Sequence, residues 1–134
     1  MSDRQVAPPE THAGLLERPL FAHLATVRAD GAPQVNPMWF EWDPQTCVIR
    51  MTHTKTRHNF RYIESEPRVA LSITDPDDPY RYLQVRGVVE RIDDDPTGGF
   101  YQRLQRRYRG YTSEVKDRDV RVILTIRPVA FKTR

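Results

Sequence analysis

Turn signals cut the chain into short extended runs, and that punctuation limits the folds open to it more than any other feature. Residues 20–28 (LFAHLATVR) form an apolar run of strand length that stops at Ala29-Asp30-Gly31. Asp-Gly between extended runs is a strong hairpin signal. The return strand is expected over residues 34–42 (QVNPMWFEW). Pro37 inside it lacks an N–H for a ladder bond, which places this strand at a sheet edge or a bulge. Asp43-Pro44-Gln45-Thr46 is the next turn, and residues 47–52 (CVIRMT) the next strand. Residues 68–74 (RVALSIT) and 80–92 (YRYLQVRGVVERI) read as two more, separated by a polar loop at 75–79 (DPDDP), with Gly87 as a bulge or tight bend. Residues 120–126 and 129–132 close the chain as strands on either side of Pro128.

A helical period appears in three places. Thr11 is the expected N-cap of a short helix carrying Leu15, Leu16 and Glu17, ended by Pro19. Phe60 and Ile63 lie three apart in a segment that starts near Thr56 and stops at Glu66-Pro67. Phe100, Leu104 and Tyr108 share one face of residues 96–108, and Asp93, Asp94 and Asp95 precede its positive end. Residues 1–12, with Pro8 and Pro9, are expected to be a flexible arm, and residues 13–134 one domain. Six or seven closely spaced strands with three short helices predict a mainly β (α+β) fold, an antiparallel barrel closed or nearly closed with helices at its ends. A Rossmann sheet would need regular βαβ alternation and a glycine fingerprint, and the sequence has neither.

Composition narrows the function. At 134 residues the chain has the size of one domain. The single cysteine, Cys47, excludes an intrachain disulfide framework and a multi-cysteine zinc site, and reads as a structural thiol at the start of a strand. No apolar run approaches membrane-spanning length, and no apolar leader is seen near the N-terminus, so a cytoplasmic protein that does not enter membranes is expected. Hydrophobic residues make up 38%, low for a chain that must bury a core alone, which predicts pairing with a second copy. The net charge is only +3, with acids spread throughout. Arg103, Arg106, Arg107 and Arg109 on the last helix therefore read as a solvated basic face, not as a nucleic-acid surface. His53 and His58, five apart across a strand-to-helix break, match no metal spacing, and no serine sits in a nucleophile elbow.

One segment points to a ligand. Residues 52–61 (THTKTRHNFR) gather Thr52, Thr54 and Thr56 with Lys55, Arg57 and Arg61 where a strand runs into a helix N-terminus. Unpaired N–H groups and a positive dipole end make such a junction a phosphate cradle. Arg57 and Arg61, four apart, would share a helical face and fork onto an anion. Ordinary capping by Thr54 or Thr56, with solvated arginines, is the alternative. Trp39, Trp42, Tyr80 and Tyr82 suit either a substrate cleft or, with more weight, core and interface packing.

The hairpin LATVRADGAP, the junction RYIESEPRVAL and the strand motif LQVRG stand in an order and spacing that resemble the split β-barrel flavin-binding superfamily of pyridoxamine 5'-phosphate oxidase. Within it the sequence is most similar to the small branch that uses the deazaflavin F420. The resemblance covers residues 13–132. It implies a homodimer with two cofactor sites at the subunit interface and hydride transfer to a conjugated small molecule. FMN in place of F420, or a carrier without turnover, are the alternatives on the same fold. By the same resemblance the ring lies against Gln34, Val35, Asn36, Pro37 and Met38, and the phosphate against Thr52, Lys55, Thr56 and Arg57, with Arg61 assisting. Ala70 and Ser72 line the cofactor, and Gln84 approaches its ring system. Asn59 falls in the phosphate segment where many relatives carry Lys, and His58 where flavin-type oxidases often carry Arg. No catalytic side chain and no metal are implied, because the cofactor supplies the chemistry.

Overall fold

The computed structural model describes residues 5–134. The Asp-Gly signal works as expected: Gly31 takes a φ of +87°, a conformation open to glycine, and Arg28 donates its N–H to the Ala32 carbonyl at 2.8 Å. This turn joins β1 (Ala22–Val27) to β2 (Pro33–Met38). There follow β3 (Glu41–Asp43), β4 (Val48–Thr54), β5 (Arg68–Asp75), β6 (Asp78–Asp94) and β7 (Arg121–Thr133). Helix α1 (Gly14–Glu17) precedes β1, α2 (His58–Ser65) follows β4 and α3 (Gly99–Arg109) follows β6. All strand pairings are antiparallel, in the order β2-β1-β5-β6-β7-β4-β3.

That order decides the shape. The two edge strands, β2 and β3, are consecutive in the chain and joined by Trp39 and Phe40 alone. Three Cα steps bring Met38 and Glu41 within about 11 Å of each other. A seven-stranded sheet whose edges lie that close has to roll up, which gives the nearly closed barrel. Leu24, Leu71, Val85 and Leu124, all buried, fill the inside. Leu15 and Leu16 of α1 and Phe60 and Ile63 of α2 join the same core.

The differences from the expected elements have local causes. The run 34–42 is two strands, because Phe40 is fully buried and gives its N–H to the Tyr108 hydroxyl (3.0 Å) instead of to a ladder. Pro37 does lie on an edge strand. Residues 121–133 form one strand through Pro128, which stands opposite Gly87 beside a bulge that leaves Val129 unpaired. The loop expected at 75–79 is a tight turn in which Asp75 and Asp78 already pair, and the Asp75 carboxylate accepts the Asp77 N–H (2.9 Å). Cys47 sits in the turn before β4 with a φ of +55°, not in the strand. Neither Thr11, Thr54 nor Thr56 caps a helix; α1 and α2 have no side-chain cap. Helix α3 starts at Gly99, and Asp95 alone of the three acids serves it, accepting the N–H groups of Phe100 and Tyr101 at 3.2 Å. Residues 1–4 of the expected arm lie outside the described residues. Its inner end is tied down: Arg81 donates to the Thr11 carbonyl, and His12 Nε2 to the Arg134 carbonyl at 3.0 Å.

At Gly87 a Cβ would stand 2.9 Å from the Arg127 carbonyl oxygen and 2.9 Å from Ile126 Cγ2. A backbone obstacle cannot swing aside, so Gly87→Ala should destabilise the barrel by about 1–3 kcal/mol. Chemical denaturation of both proteins measures this as a lowered midpoint.

Candidate functional site

The chain builds a cleft where the barrel nearly closes. Helix α3 crosses this seam and holds it. Tyr108 donates its hydroxyl to the Leu20 carbonyl (2.6 Å) while accepting the Phe40 N–H, so one side chain pins the approach to β1 and the link between β2 and β3. Burial raises its pKa and keeps the phenol protonated as a donor. Arg103 adds a two-pronged bond to Glu41 on β3 (2.7 and 2.9 Å). Arg107 gives its guanidinium to the carbonyls of Leu16, Glu17 and Arg18, supplying the partners that the end of α1 lacks. Two arginines of the expected solvated face are thus structural clamps.

The cleft has a volume of about 220 Å³. Pro37, Met38 and Trp39 bring β2 to it, Thr52 and His53 bring β4, and Arg57 the entry to α2. Phe21, Tyr101, Arg109 and Arg121 complete the wall. Trp39 stacks on Tyr108 at 4.8 Å with rings 9° from parallel, and Arg109 lies 4.9 Å over Trp39. Arg121 lies 4.0 Å over Tyr101, pairs with Asp117 (2.9 Å) and reaches the Thr52 hydroxyl (3.4 Å). Three guanidiniums therefore line the cleft and, among the described residues, no carboxylate does. Arg57 and Arg109 have no acidic partner among the described residues. Such a cleft attracts an anion with a flat apolar portion.

His53 is its most unusual member. The side chain is 2% exposed, its Nδ1 accepts the Thr54 N–H at 2.8 Å, and its Nε2 has no partner. Burial, with the neighbouring Arg57 guanidinium, lowers its pKa to about 4, so the ring is neutral at physiological pH.

Of the residues expected to bind a ligand, Pro37, Met38, Thr52 and Arg57 meet in this cleft. The others lie elsewhere. Arg57 has extended backbone (ψ 144°) and precedes α2, so it does not share a helical face with Arg61, which is exposed on the helix. Lys55 is taken by Asp94 (2.9 Å), and the Thr56 hydroxyl meets that of Thr54 (3.0 Å). Asn59 is buried beside His53. Alternation along β2 divides Gln34, Asn36 and Met38 from Val35 and Pro37, so these five do not form one surface. Gln34 instead donates to Asn36 at 3.1 Å.

The outer face of the sheet gathers the rest. Pro37, His23, Ser72, Gln84 and Lys132 stand opposite one another across five strands. Val35, Ala25, Ala70, Arg86 and Ala130 form the next row. Val35 is 61% exposed, and Val129, 45% exposed, lines a largely apolar depression of about 350 Å³ with Ala25, Ala70 and Val88. The sequence reading missed His53, Phe21, Tyr101, Arg109 and Arg121 as cleft residues. The pairing of aromatic and Arg at 101 and 121, twenty positions apart, carries no local signal. Trp39, weighed there as core or cleft, is a cleft residue, while Trp42 packs against the core.

The buried neutral ring has a thermodynamic signature. His53 has its pKa lowered from 6.5 to about 4 on folding, so the unfolded chain binds the extra proton between those values. Stability contributed by the neutral ring is full above about pH 6.5 and is lost as pH falls towards 4. The loss is about 3 kcal/mol at one tenfold per pH unit. Thermal unfolding between pH 7 and 5, above the carboxylate range, should show Tm falling with acid in the native protein and flat in His53→Gln.

Comparison with known proteins follows from this geometry. The family described as pyridoxamine 5'-phosphate oxidase matches residues 8–134. Among solved structures, one named F420 reductase is 56% identical, with a TM-score of 0.89, covering 93% of this chain and 98% of its own. A pyridoxamine 5'-phosphate oxidase-type protein from Listeria innocua has a TM-score of 0.70 at 18% identity, covering 92% of this chain and 95% of its own. A conserved protein from Mycobacterium tuberculosis has a TM-score of 0.73 at 23% identity, covering 99% and 87%. The last two share the fold. With the match running nearly end to end, and the rolled seven-stranded sheet in place, the chain belongs to the pyridoxamine 5'-phosphate oxidase family.

Proposed function

We propose that this oxidoreductase is an F420H2-dependent reductase acting on a conjugated small molecule, with the cofactor phosphate in the seam cleft. The observation that carries the reading is the cleft itself: three guanidiniums, a threonine hydroxyl and, among the described residues, no carboxylate, on a wall that includes Phe21, Trp39 and Tyr101. The choice of F420 rests on the 56% identity to a protein named F420 reductase. The unpaired Nε2 of His53 fits a phosphate, since it offers a donor where an acceptor-only group would lie. A reduced deazaflavin supplies hydride, and that is chemistry no side chain here provides.

The chain's own part is binding and shielding. Arg57 and Arg121 hold the phosphate, and Thr52 turns its hydroxyl to whichever oxygen Arg121 leaves free. Arg109, kept in place by Trp39, extends the positive surface along the cleft towards any further anionic group of the ligand. The small side chains Ala25, Ala70 and Ala130 give the outer sheet face the flatness a planar ring requires, with Gln84 and Ser72 at its border. A second copy covers the outer face in this reading, excluding water and uniting sheet face and cleft in one site. An FMN-dependent oxidoreductase is the second reading, favoured by the family match over residues 8–134.

Titrating the purified protein with F420 and, separately, FMN while following fluorescence tests the choice. Binding of F420 at micromolar concentration or below is expected; tight FMN binding with no response to F420 overturns it. Arg57→Ala should weaken F420 binding by about 1.5–3 kcal/mol, the size of a charge-assisted hydrogen bond. For the dimer, light scattering should give twice the 15.7 kDa chain mass. Val129→Glu, which sets a charge in the apolar face, should return a single-chain mass and lose cofactor affinity with it.

A further inference from the structure

We infer that His53 is a neutral hydrogen-bond donor at the floor of the seam cleft, giving its Nε2–H to an anionic oxygen of the molecule held there. The tautomer follows from one contact. The Thr54 backbone N–H can only donate, and it meets Nδ1 at 2.8 Å, so Nδ1 is the acceptor and the ring proton resides on Nε2. That proton is buried and lacks a hydrogen bond of full geometry: the Asn59 side chain lies close enough to favour protonation of the ring without completing one, and Thr52 and Arg57 line the same cleft. Buried donors are almost always satisfied, and one left open at a cleft wall stands where a ligand can satisfy it. Phe60 holds the ring edge-on at 6.4 Å and 70°, so the imidazole cannot turn the donor elsewhere without losing its Thr54 bond.

The charge pattern explains why a histidine serves here. Arg57 and Arg121 both push against protonation of the ring. A third cation at the floor would repel these two, whereas a neutral N–H adds a hydrogen bond at no electrostatic cost. Arg57 is exposed and without an acidic partner, so an anion drawn to it shifts that side chain and comes up against the open donor. This inference rests on the reading of the cleft as a phosphate site and adds the tautomer and the fixed, uncharged donor through which His53 meets the anion.

The test uses the full chain, 15N-labelled at histidine. In the native protein the Nε2–H resonance should report the Nε2 tautomer throughout pH 5–8. Saturation with F420 should move it downfield and slow its exchange with water. His53→Leu, which deletes the donor, should bind F420 about tenfold or more weakly, with a Tm at pH 7 no lower than the native protein, since an unsatisfied group has been removed. His53→Gln, whose amide N–H reaches a similar point, should stay within about threefold of native affinity. An unmoved Nε2–H resonance in the F420-saturated protein, or native affinity in His53→Leu, overturns the inference while leaving the cofactor reading intact. If neither F420 nor FMN binds, the cofactor reading falls, and inorganic phosphate decides for His53: a shifted Nε2–H resonance upholds the donor, and none rejects it.

Discussion

The hydroxyl of Tyr108 holds the architecture together at its weakest place. A sheet of seven antiparallel strands has two open edges, each a row of unpaired backbone groups. Here the edges belong to neighbouring strands in the chain, and the two-residue link between them turns inward at Phe40 to meet Tyr108. The same hydroxyl reaches the Leu20 carbonyl, so α3 is fastened to the approach to β1 as well as to the link between the two edge strands. The cleft exists because the edges approach without zipping: ladder bonding would have filled the space that Trp39, Tyr101 and the arginines now line.

The arginines divide by what they face. Arg18 and Arg81 hold Asp75, Arg50 holds Glu41 and Asp43, and Arg103 grips Glu41 as well. These pairs neutralise one another and stitch loops to strands. Half-buried pairs of this kind still face solvent and add modestly to stability, and their further effect is to leave the unpaired arginines as a source of the local field. Arg57 and Arg109 are such residues, and both open onto the same cleft. A chain with a formal charge of only +3 thereby still places unpaired positive charge in this cleft.

Much of this was legible from residues alone. Asp30-Gly31, the helical spacing of Phe60 and Ile63 and the proline on the edge strand led directly to the elements found. The failures were tertiary. Nothing near Phe40 announces that its N–H belongs to a tyrosine 68 positions away, so the run 34–42 read as one strand. Pro128 read as a break because its tolerance depends on Gly87 in the neighbouring strand. The site suffered in the same way. The segment 52–57 was visible as a local cluster of hydroxyls and cations, whereas Arg109, Arg121 and Tyr101 enter the cleft only through the path of α3 and β7. His53 was weighed as a metal ligand, the question its spacing posed, and its burial is a property of the barrel.

The bulge at Val129 governs which residues the last strand shows to each side. Before it, Val122, Leu124 and Ile126 point inward on even positions. After it Phe131 faces Val85 of the interior, and Ala130 and Lys132 stand beside Arg86 and Gln84 on the outside. One unpaired residue has inverted the parity of the strand. Pairing Val129 into the ladder would act as a frameshift in geometry with no change of reading frame, carrying the Lys132 ammonium into the interior and Phe131 into water. The place where the strand takes up its spare residue is therefore as binding a constraint on descendants of the chain as any side chain in it.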